Sequence, residues 1–204
     1  MMVSRHVFRD KDPIRTCIEE YSDHKKYKSS LRVDFNGHCG YCNANDTYLG
    51  GKMVYHVDHF APQKKFPVLR LSYSNLVYAC PFCNRSKSDD WPSDDATQNV
   101  NGNKGYIDPC DATYTQHFCR DNDGSIIPLS VIGEYMHKRL KFNMKRHSVL
   151  WNISRLKNVI DELHKVYDEQ LITTDNPELL NKLVILNREY HEYFDYISGA
   201  GING

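Results

Sequence analysis

Apolar positions in the last third of the chain recur at helical spacing. Ile153, Leu156, Ile160, Leu163 and Tyr167 step by three and four residues. Leu179, Leu183, Leu186, Tyr190, Tyr193 and Ile197 nearly repeat the pattern. Each set lies on one face, so the spacing predicts two amphipathic helices. Asn176-Pro177-Glu178 forms a helix start with proline in the first turn, and the final "SGAGING" should fray. Residues 14–30, "IRTCIEEYSDHKKYKSS", also read as a helix, from Ile14, Cys17, Ile18, Tyr21 and Tyr27 spaced among charges behind Pro13. Between 36 and 90 the texture changes: glycines, cysteines and short apolar runs alternate, which predicts short strands and tight knuckles. Residues 88–128 are rich in Asp, Asn, Gly, Ser and Thr and read as a long irregular segment, ordered only if it packs on the core. Asp123-Gly124 within it is a turn signal.

Composition narrows the setting. The chain has 204 residues, 40% of them hydrophobic and 25% charged, which suits one ordinary globular domain or a small module with a helical extension. No apolar run is long enough to cross a membrane. The opening "MMVSRHVFRDKDP" is too polar for a secretory signal, so a cytoplasmic location without membrane attachment is expected. The net charge is 26 − 26 = 0, so nucleic acid would have to be met by a local basic surface or with a partner's help.

Seven cysteines in such a chain point to metal ligation or buried thiols rather than disulfides. Four of them form two knuckles, Cys39-x-x-Cys42 and Cys80-x-x-Cys83. Each knuckle can present two thiolates to one tetrahedral ion, and the pair completes a four-sulfur Zn²⁺ shell. Gly40 would let the backbone turn under the first knuckle. Four thiolates saturate the ion, so this zinc is structural and any chemistry belongs to residues it holds in place. Cys17, Cys110 and Cys119 show no such pairing and read as buried structural thiols.

Inside and just beyond the quartet lie "VDHFAP" (57–62), "SNLVYAC" (74–80) and "CNRSK" (83–87). Asp-His at a strand end, then Asn-Leu, then Cys-x-x-Cys-Asn-x-x-Lys resembles the HNH endonuclease motif in its zinc-stapled ββα-metal form, here an Asp-His-Asn variant. The resemblance implies an α+β fold, a small ββα-metal core with a four-cysteine zinc site embedded in a mainly helical domain. On that basis the chain divides into an N-terminal helical segment (1–35), the nuclease core (36–90), an irregular loop segment (91–130) and a C-terminal helical region (131–204). It also implies metal-dependent hydrolysis of phosphodiester bonds in nucleic acid, DNA ahead of RNA, although nothing in the sequence reads a base edge. Asp58 and Asn84 offer two oxygen ligands suited to a hard ion, Mg²⁺ or Mn²⁺. His59 is the candidate general base, because imidazole titrates near neutral pH. Asn75 resembles the motif's middle asparagine, which braces the loop and orients the histidine. Arg85 and Lys87, read as the first helical turn after the knuckle, and Lys64 and Lys65 upstream are candidate phosphate contacts. Because side chains alternate along a strand, Asp58 should be its last regular residue, with His59 turning into the cleft and His56 supporting at most.

Residues 138–157, "KRLKFNMKRHSVLWNISRLK", hold seven Lys/Arg and no acid; as one helix they would make a basic stripe beside Phe142 and Trp151. "VDHFAPQKKFP", "YIDPCDATYTQHFCRDNDGSI" and "GEYMHKRLKFNMKRH" resemble the PtuB-like HNH nucleases of Septu and retron anti-phage defence systems. That resemblance implies an ABC/SMC-like (PtuA-like) ATPase as partner, with the C-terminal helices as candidate docking elements. Two other readings stay open at this point: a catalytically silent zinc-bound module that binds nucleic acid or protein, and a standalone restriction-like nuclease.

Overall fold

The computed structural model describes residues 5–170 and 176–199, so the expected fraying of "SGAGING" lies largely outside the described residues. The chain forms two compact units, one reaching to Met144 and the other beginning at Lys145. Among the described residues no helix is long and apolar enough to cross a membrane.

The first unit is built around a short hairpin. Strand β1 (His56–His59) pairs antiparallel with β2 (Leu76–Ala79), with His56 opposite Ala79 and His59 opposite Leu76. Helix α2 (Pro81–Lys87) follows β2 after one residue, with Pro81 in its first turn and the Cys80 sulfur accepting from the Cys83 N–H. This is the ββα unit. All four β2 residues are buried, as expected of a strand covered on both faces. Helix α1 (Lys28–Asp34) packs against both strands. Gly40 is required by closeness rather than by an unusual turn: a β-carbon there would lie 2.6 Å from the Phe35 ring and 2.8 Å from Val77.

The helix expected over 14–30 does not form. Only a 3₁₀ turn (His24–Tyr27) and α1 are helical, and residues 12–21 run as an irregular strap with Ile14 and Ile18 exposed. The strap's polar groups find long-range partners instead. Arg15 donates to the Leu76 carbonyl at 2.9 Å and grips Asp108 with two hydrogen bonds of 3.0 Å. The Thr16 N–H and hydroxyl both donate to the Asp34 carboxylate at 2.7 and 2.6 Å. Side-chain partners thus replace the helical ladder.

Residues 91–130 are ordered by packing on the core. Trp91, Tyr106, Tyr114, Phe118 and Ile126 are buried. Two further hairpins punctuate the segment: β3 (Val100–Asn101) with β4 (Lys104–Gly105), and β5 (Phe118–Arg120) with β6 (Ile126–Pro128). The second closes through Asp123-Gly124, with Gly124 at φ +80°. Helix α3 (Val131–Arg139) ends this unit.

The basic run 138–157 is not one helix. The chain breaks after α3, Lys141 adopts φ +55°, and Phe142 is buried instead of flanking a stripe. The second unit holds α4 (Arg146–Gln170) and α5 (Pro177–Ser198), which pack on each other as their apolar spacing predicts. Asn176 caps α5 by accepting from the Leu179 N–H at 3.1 Å.

Candidate active site and metal centre

The four knuckle cysteines converge. Their sulfur atoms lie within 4.8 Å of one another, all buried, and Cys42 Sγ is 3.8 Å from Cys80 Sγ. A tetrahedral ion with sulfur ligands at about 2.3 Å has sulfur–sulfur edges of about 3.8 Å, so the donor set fits Zn²⁺. Burial pushes the Cys42 and Cys83 thiols well above their ordinary pKa. For Cys39 the burial penalty is outweighed by hydrogen bonds from the other three, and its pKa falls well below the ordinary value. Thiolates crowded into a dry shell require a cation. The remaining cysteines differ from expectation: Cys119 is buried, but Cys17 and Cys110 are half-buried.

Beside this staple lies a cleft of about 350 Å³ bordered by Asp58, His59, Asn84 and Arg85, together with His24, Gln63, Ser88 and Asp89. β1 contributes the aspartate and histidine, and α2 contributes the asparagine and arginine. The β1 ladder continues through His59, whose backbone still pairs with Leu76, so the strand does not stop at Asp58 as expected. Pairing persists because Asn75 extends it. Its carbonyl accepts from the Phe60 N–H at 2.8 Å, its side-chain oxygen from the Ala61 N–H at 2.8 Å, and its side-chain nitrogen donates to the Ala61 carbonyl at 3.0 Å. Asn75 thus clamps the chain just beyond His59.

The Asp58 carboxylate is buried and accepts from the Tyr41 hydroxyl at 2.6 Å. Burial raises its pKa, with Lys87 and Tyr41 opposing the rise. Lys87 is fully buried. Its ammonium donates to the His59 carbonyl at 2.9 Å and sits 3.7 Å from Asp58 Oδ2. Lys87 therefore faces inward and cannot meet a phosphate from solvent, contrary to its sequence reading. Arg85 is exposed at the cleft, in the last turn of α2 rather than its first. Lys64 and Lys65 lie on an exposed loop. Lys64 is 3.5 Å from Asp89, while Lys65 pairs with Asp94 at 2.9 Å and donates to the Ser93 carbonyl at 2.7 Å.

His59 Nε2 is 3.0 Å from the Arg70 carbonyl. A carbonyl only accepts, so Nε2 carries the proton and Nδ1 holds the free lone pair. Burial lowers the His59 pKa, partly offset by the Arg70 hydrogen bond and Asp58, which favours the neutral ring. His56 stands exposed at the start of β1, on the same face as Asp58. Tyr41 and His24 escaped the sequence reading. Tyr41 occupies an unspecified position of the first knuckle, and His24 lies outside the motif; both meet the cleft residues only through tertiary packing.

A ββα unit stapled by four cysteines, with Asp58, His59 and Asn84 at one cleft, defines an HNH domain. Residues 39–90 match the family model described as HNH endonuclease, and this segment is an HNH endonuclease domain. The Septu protein PtuB of Bacillus mycoides (strain KBAB4) is 30% identical to this chain over 82 residues. That match covers 34% of this chain and 26% of the relative, so the chain spans about a quarter of that protein.

Proposed function

We propose that this protein is a metal-dependent endonuclease that hydrolyses phosphodiester bonds in nucleic acid, DNA ahead of RNA. We further propose that it is the nuclease effector of an ATPase-coupled anti-phage defence system. The observation that carries the nuclease reading is the hydrogen bond from His59 Nε2 to the Arg70 carbonyl, which leaves a basic Nδ1 at a cleft shared with Asp58 and Asn84. His59 Nδ1 takes the proton of the attacking water, and the buried, neutral ring is prepared to receive it. Tyr41 and Lys87 both act on Asp58 Oδ2, so Oδ1 is the oxygen available to a cation, with the Asn84 amide oxygen as second protein ligand. Mg²⁺ or Mn²⁺ held there would neutralise charge developing on the phosphate and the leaving oxygen. Arg85 adds positive charge at the cleft mouth for a phosphate oxygen. Asn75 keeps the segment after His59 in register and does not itself touch the reacting atoms. Zn²⁺ on Cys39, Cys42, Cys80 and Cys83 fixes the relation between hairpin and helix.

The defence role and the PtuA-like ATPase partner rest on the partial likeness to the Septu protein, and the chain's zero net charge is consistent with a nuclease that leans on a partner to hold nucleic acid. The test is to incubate plasmid DNA and a structured RNA with the purified protein, alone and after co-expression with a PtuA-like ATPase. Cleavage stimulated by the co-purifying ATPase is expected. Full cleavage by the protein alone, with no ATPase co-purifying, would instead indicate a standalone nuclease.

A further inference from the structure

The cleft has a wall that the HNH segment does not supply. His24 precedes the matched residues 39–90, yet it borders the cleft, and its ring packs on that of His59 with centroids 4.8 Å apart and planes inclined by 59°. We propose that His24 is a positioning residue for the general base, fixing the plane of the His59 ring so that Nδ1 faces the scissile phosphate. This inference rests on the nuclease reading above.

Beyond its covalent bond at Cγ, the His59 ring is tied by the Nε2 hydrogen bond to the Arg70 carbonyl. A ring tied at Cγ and Nε2 can still turn about the line joining them, which would carry Nδ1 out of line with the attacking water. A second ring packed on it at a tilt restricts that turn. His24 is itself held firmly. Asp23 caps the 3₁₀ turn that carries it by accepting from the Lys25 N–H, and Tyr27 in the same turn is buried between Tyr21 and Tyr73. The Tyr27 hydroxyl also accepts from the Tyr21 N–H at 3.0 Å. The His24 Nδ1 is enclosed and without a hydrogen-bond partner, with Asp23 Oδ1 3.7 Å away. Packing on His59, rather than a hydrogen bond at Nδ1, therefore sets the ring's place. The strap and 3₁₀ turn ahead of the domain thus complete the site.

The test compares His24→Ala, His24→Gln and His24→Phe with the wild-type protein at equal zinc content and equal melting temperature. His24→Ala and His24→Gln should lower kcat about tenfold while KM stays within about twofold. His24→Phe, which restores a ring, should recover most of the loss. His59 ring-proton resonances should shift in the Ala and Gln variants, which lose the neighbouring ring current, and stay near their wild-type positions in the Phe variant. Unmoved His59 resonances on loss of the His24 ring would overturn the proposal, as would a Phe variant as slow as the Ala variant. The resonances are read without turnover. If the wild-type protein cleaves nothing, the nuclease reading fails while the ring contact is still decided.

Discussion

At the scale of residues, the informative side chain is Lys87. Its sequence position suggested a surface cation, but its ammonium is enclosed beneath Asp58 and the His59 carbonyl and lies 5.6 Å from the Tyr106 ring centre. Removing one partner of a buried charge pair leaves the other uncompensated. Lys87→Met should therefore destabilise the protein by about 3 kcal/mol in denaturant titration; a loss near zero would mean that the pair is not buried in solution. Tyr41→Phe acts more locally. It removes one hydrogen bond to Asp58 and so strengthens the carboxyl's preference for its proton. The Mg²⁺ concentration for half-maximal cleavage should rise several-fold, and an unchanged metal requirement would count against Asp58 as a ligand. Spacing singled out Asp58, His59 and Asn84 as candidates because the motif lies within one short stretch of chain, and the fold brings the three to one cleft. Lys87 and Tyr41 were misread or missed because their roles depend on burial, which spacing does not encode.

At the scale of elements, the strap over 12–21 shows how tertiary contacts override local pattern. Its apolar residues recur at helical intervals, yet Arg15 and Thr16 are drawn to Leu76, Asp108 and Asp34. Asp34 is the hub. Burial would raise its pKa, but hydrogen bonds from Thr16 and Tyr73 outweigh it and hold the carboxyl below its ordinary value. A carboxyl with a lowered folded pKa stabilises fully above its unfolded value, about 3.9, and loses that contribution as pH falls through the folded value. The melting temperature should drop as pH falls from about 5 to about 3. Asp34→Asn should melt lower at neutral pH and show a shallower drop; a parallel drop in both proteins would contradict this role for Asp34. The knuckles, by contrast, were legible outright, since two Cys-x-x-Cys pairs constrain the fold more tightly than any propensity. Elemental analysis should return about one zinc ion per chain, and Cys39→Ser should not fold.

At the scale of the whole molecule, the chain separates into a unit that carries the candidate site and a two-helix unit. The helical spacing of the second unit was legible because two long amphipathic helices repeat one period many times. The break that splits the basic run at 140–145 was not, because no proline or glycine marks it. On α5, Val184 and Ile185 are 52% and 65% exposed, more than a two-helix core needs. If this unit docks the ATPase, Val184→Asp with Ile185→Asp should abolish co-purification and leave the melting temperature within a few degrees of wild type. Retained co-purification would place the docking surface elsewhere.

The central claim is that Asp58, His59 and Asn84 form a metal-dependent hydrolytic site. The most direct measurement is nicking of supercoiled plasmid in the presence of the ATPase, comparing the wild-type protein with His59→Ala. The wild-type protein should nick with Mg²⁺ or Mn²⁺ and stop on addition of EDTA. His59→Ala should fold, retain its zinc and cut nothing. Undiminished nicking by His59→Ala, or none by the wild-type protein with any divalent ion, would contradict it.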